Sequence, residues 1–136
     1  MQIWVWYTLI TASFYAFWGF LPKIATNYLD PRSAMIYQTG GATLAGLVLL
    51  IGTRFKLPIQ ARGITFSMLA GIAGVIGTQF LLMALAKGKA SLVNGVVALY
   101  PAGVVILAAI FLKETLTLRQ IIGLLLSFVA IFLIAS

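Results

Sequence analysis

GTQFLLMALAKGKASLVNGVVALYPAGVVILAAIFLKETLTLRQIIGLLL, residues Gly77 to Leu126, decides how the rest of the chain is read. Two long apolar segments are joined by the tight turn Lys87-Gly88-Lys89. The second segment carries a proline, Pro101, near its middle. A short charged loop from Lys113 to Gln120 then opens a further apolar segment. Outward from this stretch the chain repeats the same material, which predicts an all-α membrane protein built as a stack of bilayer-length helices.

The composition supports that reading. Of 136 residues 62% are hydrophobic and 8% charged, with a mean hydropathy of +1.12. Soluble domains carry roughly 25% charged residues, so this chain takes the bilayer as its solvent. There is no Cys and no His, and the acids are Asp30 and Glu114 alone. That composition removes thiolate and imidazole chemistry and the usual zinc and copper sites, and nearly excludes a paired-carboxylate or metal-carboxylate site within one chain. The expectation is therefore a protein that is not an enzyme and has no cofactor and no metal. The net charge is +7. In a soluble protein such a charge would suggest nucleic acid. Here the Lys and Arg residues fall at the ends of apolar runs or between them, as membrane-flank anchors do, so no nucleic-acid partner is expected.

Five spans are predicted, over about residues 3–22, 34–51, 64–86, 90–112 and 118–136, within a single transmembrane domain covering 1–136. The first run lacks a basic leader segment and is too long and aromatic for a cleaved signal, so it is expected to be a retained span. Its Trp4, Trp6 and Tyr7 suit an interfacial aromatic belt. Asp30-Pro31 reads as an N-cap followed by proline at the first helical position. The second span holds Gly40, Gly41, Ala42, Ala45 and Gly46, which would allow another helix to come close. Gly71, Gly74 and Gly77 punctuate the third span. Thr117 and Gln120 have the spacing of a capping box. An odd number of spans puts the termini on opposite sides. Basic residues split five against four between the two sides: Arg54, Lys56, Arg62, Lys113 and Arg119 against Lys23, Arg32, Lys87 and Lys89. Orientation follows Lys and Arg bias. A chain with almost none is expected to insert both ways and to pair as an antiparallel homodimer, unless local effects select one orientation.

Within the spans, Trp4, Thr8, Thr11, Tyr15, Trp18 and Pro22 recur on one helical face. A polar and aromatic stripe at membrane depth faces protein or a water-filled cavity, and serves either helix packing or a binding wall. Ser67, Gly71, Gly74 and Thr78 share a face of the third span, with Gln79 beside it. An amide at that depth needs partners. Asn94, Ala98 and Pro101 form a stripe in the fourth span, with Tyr100 adjacent. Read as binding walls rather than packing faces, these stripes would put Thr11, Tyr15, Trp18, Gln79, Asn94 and Tyr100 in a substrate cavity. Pro101, Gly71 and Gly74 are the expected hinges, and Gly123 with Ser127 the expected packing or dimer pair. Lys23 is expected to snorkel or to pair with a carboxylate or phosphate.

The residues also resemble a known family. Ala16 to Lys23, AFWGFLPK, resembles the Trp-Gly…Lys signature near the end of the first helix in EamA-type proteins of the drug/metabolite transporter superfamily. Ala84 to Ser91, ALAKGKAS, is similar to the family's turn between its third and fourth helices. Pro101, then Leu112 to Thr117, Gln120 and Gly123 follow its proline, E-x-L-T and Q-x-x-G pattern. The match covers nearly the whole chain. The resemblance implies one five-helix repeat of a ten-helix fold. Two antiparallel copies would then rebuild a transporter for a small organic metabolite, working by alternating access in a bacterial or archaeal cytoplasmic membrane. Small multidrug resistance proteins are four-helix relatives with a membrane-embedded Glu in the first helix. Here that region holds Thr8, Thr11 and Tyr15 and no acid. An exporter of organic cations of that kind is the alternative, together with a non-transporting scaffold subunit.

Overall fold

The computed structural model describes residues 3–135. Six helices follow in order: α1 (Ile3–Ala25), α2 (Pro31–Gly52), α3 (Ala61–Lys87), α4 (Ala90–Val97), α5 (Tyr100–Phe111) and α6 (Leu118–Ala135). No strand occurs among the described residues. The helices α4 and α5 are the two halves of one broken span, so the chain is all-helical with five spans. Pro31–Gly52, Ala61–Lys87 and Ala90–Phe111 are each long and apolar enough to cross a membrane. In α1 the length is present, at 23 residues or about 35 Å. Its Trp and Tyr residues lower its hydropathy, although membranes place such residues at their interfaces. In α6 the apolar stretch Leu118–Leu133 is shorter. Residue 136, the expected end of the last span, lies outside the described residues.

The chain forms two compact units, divided after Lys87. In the first, α3 packs against both α1 and α2. The contact is made by the C-terminal half of α3, where Thr78, Leu81, Leu82 and Leu85 are buried at steps of three and four. Pro22 of α1 and Ala34 of α2 are buried there too. The α1–α2 turn closes this end. Asp30 caps α2, accepting from the N–H groups of Arg32 and Ser33 at 3.0 and 3.1 Å and from the Ser33 hydroxyl, with Pro31 in the first turn. The first helix runs on to Ala25 instead of stopping at Pro22. A proline removes only its own bond to the carbonyl four residues back, and the Thr26 N–H bonds the Pro22 carbonyl at 2.9 Å to continue the turn.

At the opposite end the α2 C-terminus closes on its own backbone. The Phe55 N–H reaches the Leu50 carbonyl at 3.1 Å and the Arg54 N–H reaches Ile51 at 2.9 Å, a Schellman closure. Such closures favour glycine at the left-handed position. Here Arg54 occupies it with φ of 53°, and Phe55 follows with φ of 60°.

In the second unit, α4 packs on α6, and Ala102 and Ile131 are buried. Thr117 and Gln120 form the predicted capping box: the Thr117 N–H donates to Gln120 Oε1 at 2.8 Å, and the Gln120 N–H points back to Thr117 Oγ1 at 3.4 Å. The fourth span breaks over Ala98 and Leu99 rather than bending at Pro101 itself. Pro101 has no N–H, so the carbonyl of Val97 has no donor four residues on, and the pyrrolidine ring crowds that same carbonyl. Three-residue bonds take over on both sides, from Leu99 N to Val96 O at 3.1 Å and from Ala102 N to Leu99 O at 3.0 Å.

Candidate functional site

Trp18 and Gln38 form the centre of the first unit's concave surface. Trp18 comes from α1 and Gln38 from α2, and both line two adjoining hollows. One, of about 250 Å³, lies toward the closed end and is walled by Pro22, Leu29, Ala34 and Leu82. The other, of about 210 Å³, lies between facing stripes of two helices. Met35, Gln38, Thr39 and Ala42 form the α2 stripe, and Gly71, Gly74, Val75 and Thr78 the α3 stripe. Each stripe follows the three- and four-residue spacing of one helical face. Neither hollow is lined by an ionisable carboxylate, ammonium or guanidinium group.

The sequence-predicted residues distribute unevenly. Tyr15 and Trp18 touch as a tilted aromatic pair, with ring centroids 6.1 Å apart and planes at 41°. Thr11 is exposed one turn earlier, and its hydroxyl donates to the Tyr7 carbonyl at 2.8 Å. That bond uses its proton and leaves only acceptor capacity. Gln79 is half-buried but does not join Trp18. It lines a separate hollow with Asp30, Pro31, Arg32 and Met83, against the α2 N-terminus. Its neighbour Thr78 is the residue that enters the Trp18 hollow. In the second unit, Asn94 Nδ2 donates to the Ala90 carbonyl at 2.9 Å, one turn before the break. Tyr100 opens α5 and is exposed.

Gly71 and Gly74 face open space: a Cβ built on either would meet nothing within 4 Å. The same holds for Gly40, Gly41, Gly46 and Gly123. The close helix approach expected at these glycines is not made among the described residues. Ser127 satisfies itself on the Leu124 carbonyl at 2.6 Å. Lys23 does not snorkel outward. Its Nζ donates to the carbonyl of Leu85 at 2.7 Å, at the α3 C-terminus where carbonyls lack intrahelical donors.

Gln38 and Thr39 were missed in the sequence. The signal was present, because Gln38 is an amide inside an apolar helix just as Gln79 is, and the same desolvation reasoning applies to it.

A profile of the EamA-like transporter family matches residues 2–136. The chain belongs to the EamA-like transporter family. Its relatives include the uncharacterized protein MJ1333.1 of Methanocaldococcus jannaschii, 33% identical over 127 residues that cover 93% of this chain and 92% of that one. The uncharacterized transporter YyaM of Bacillus subtilis is 30% identical over 118 residues, covering 85% of this chain but 39% of YyaM. No solved structure matches. This EamA-like chain is therefore an integral membrane protein of a transporter family. It matches one relative nearly end to end and less than half of another.

Proposed function

We propose that this EamA-like protein is a secondary transporter for a small neutral or zwitterionic metabolite, working by alternating access as an antiparallel homodimer in a bacterial or archaeal cytoplasmic membrane. The observation that carries the reading is the bareness of its spans. Only 11% of the second span and 17% of the third are buried within the chain, and their glycine faces stand open. Helix association in lipid relies on such small-residue faces, so a second copy is their natural cover. Balanced flanking charge and an odd span number favour that copy being inverted, and the partial match to a longer transporter-named relative fits a half-size unit. A substrate-lining role is proposed for Trp18, Tyr15, Thr11 and Gln79 in the first unit, and separately for Asn94 and Tyr100 in the second. Pro101, Gly71 and Gly74 are the proposed flexing points.

The chain has no cysteine, so Gln60→Cys in the α2–α3 loop gives a single label site. A membrane-impermeant maleimide on intact cells should label about half of the protein, with the rest reached after permeabilisation. Labelling from one side only sinks the inverted pair. Purified protein in vesicles should take up at least one compound from a neutral metabolite panel. Failure across a broad panel sinks the carrier.

A further inference from the structure

Hydroxyl groups on the first three helices follow two different patterns. Thr8, Thr11, Ser13, Thr43 and Thr65 each donate to the carbonyl four residues back on their own helix. That bond keeps a hydroxyl satisfied where lipid or protein offers no partner. Thr39 and Thr78 make no such bond, and the Gln38 amide has no side-chain partner among the described residues. All three line the 210 Å³ hollow. Thr78 is only 9% exposed. No fully buried side-chain oxygen or nitrogen among the described residues lacks a partner. The Thr78 hydroxyl therefore keeps its remaining surface toward open space, and the hollow is the space its side chain lines.

We infer that this hollow binds a neutral, flat, hydrogen-bonding group such as a carboxamide, lying against the indole of Trp18. The inference rests on the transporter reading and deepens it by naming the substrate class and the residues that select it. Gln38 offers a donor pair and an acceptor on one side chain, which matches an amide in both directions. Thr39 and Thr78 each donate or accept as the ligand requires. Trp18 supplies the apolar face. At Gly71 and Gly74 the wall opposite α2 is bare backbone, between the Val75 and Thr78 side chains, so a planar group can lie flat there. The lining carries no charged side chain. An ion entering it would lose its hydration with no counter-charge to replace it, whereas a neutral amide would satisfy three open polar groups at once. The two hollows that meet at Trp18 and Gln38 together reach the roughly 300–1,000 Å³ of small-molecule sites, so the remainder of the substrate extends over the apolar hollow toward Pro22.

The test uses three probes of one shape and different charge: benzamide, benzoate and benzamidinium. In full-length protein carrying Trp4→Phe and Trp6→Phe, Trp18 is the remaining tryptophan, and its fluorescence reports occupancy in detergent micelles. Benzamide should perturb it saturably, with both ions at least about tenfold weaker. Gln38→Leu and Thr78→Val should each weaken benzamide about five- to tenfold, while Thr78→Ser should retain binding. Circular dichroism on the same samples confirms that the helices persist. No saturable benzamide signal, equal or tighter binding of either ion, or unchanged affinity in folded Gln38→Leu protein would each overturn the inference. The carrier reading fails separately. A Gln38→Leu variant that transports like the parent removes the site and leaves the carrier, whereas benzamide binding without any transport removes the carrier and leaves the site.

Discussion

The two halves of α3 share one helix and nearly one composition, yet they live differently. From Thr78 onward one face of the helix, Thr78, Leu81, Leu82 and Leu85, is buried, and Leu82 and Leu85 are fully enclosed. Before Thr78 every residue back to Ala61 is exposed, and the glycines face open space. The first unit is thus bound at one end and open at the other. Three features gather at the bound end: the Asp30 cap, the buried Pro22 and Ala34, and the Lys23 bond to Leu85. The Trp18–Gln38 hollows lie where the packing stops. A packed end and an open end thus share the same helices, and the buried contacts are confined to the first.

The largest expected effect should come from the bound half. Leu82→Ala should cost about 2–3 kcal/mol, the low end of the core Leu→Ala range, because lipid removes part of the transfer term and leaves the packing term. Ile72→Ala in the open half should cost well under about 1 kcal/mol. Denaturation in mixed micelles measures both, and equal costs would erase the distinction between the halves. Next comes the tie between α1 and α3. Lys23→Met removes a charged donor from carbonyls at a helix end and should cost about 1–2 kcal/mol by the same assay. A neutral result would show that Lys23 is dispensable at the bound end.

At the open end the sign reverses. Arg54→Gly relieves a left-handed backbone position and should stabilise by about 0.5–1 kcal/mol, read as a higher melting temperature. The smallest effect concerns acid. The Ser33 hydroxyl, then the Ser33 N–H, hold the exposed Asp30 carboxyl below the ordinary carboxylate value. A depressed folded-state pKa stabilises at neutral pH, and that contribution disappears as pH falls below the ordinary 3.8 and through the folded value. Melting temperatures at pH 7 and pH 3 should therefore differ slightly more in the parent than in Asp30→Asn, whose cap does not titrate. An identical pH response in both would remove Asp30 from the account of the bound end.

Much of this architecture could be read residue by residue. Asp30-Pro31 announced the α2 start, Thr117 and Gln120 announced the α6 cap, and Pro101 announced an interruption in the fourth span. The site was less legible. Trp18 was named for its stripe, but Gln79 was preferred to Thr78 although the two are adjacent. A step of one residue turns a helix by about 100° and sends the neighbour to a different face. Gln38 and Thr39 do not stand out in a span that reads chiefly through its glycines and alanines, although a Cβ built on Gly40, Gly41 or Gly46 meets nothing within 4 Å.

The division has a physical cause. Hydropathy, caps and the missing N–H of proline act over a few residues, so sequence alone determined a membrane protein, its helices and the place where one breaks. Burial and partnership depend on distant segments. Lys23 meets Leu85 across 62 positions of sequence, and Trp18 shares a hollow with Thr78 only because α1, α2 and α3 pack at one end. Tertiary structure alone decided which hydroxyls line the hollow between α2 and α3.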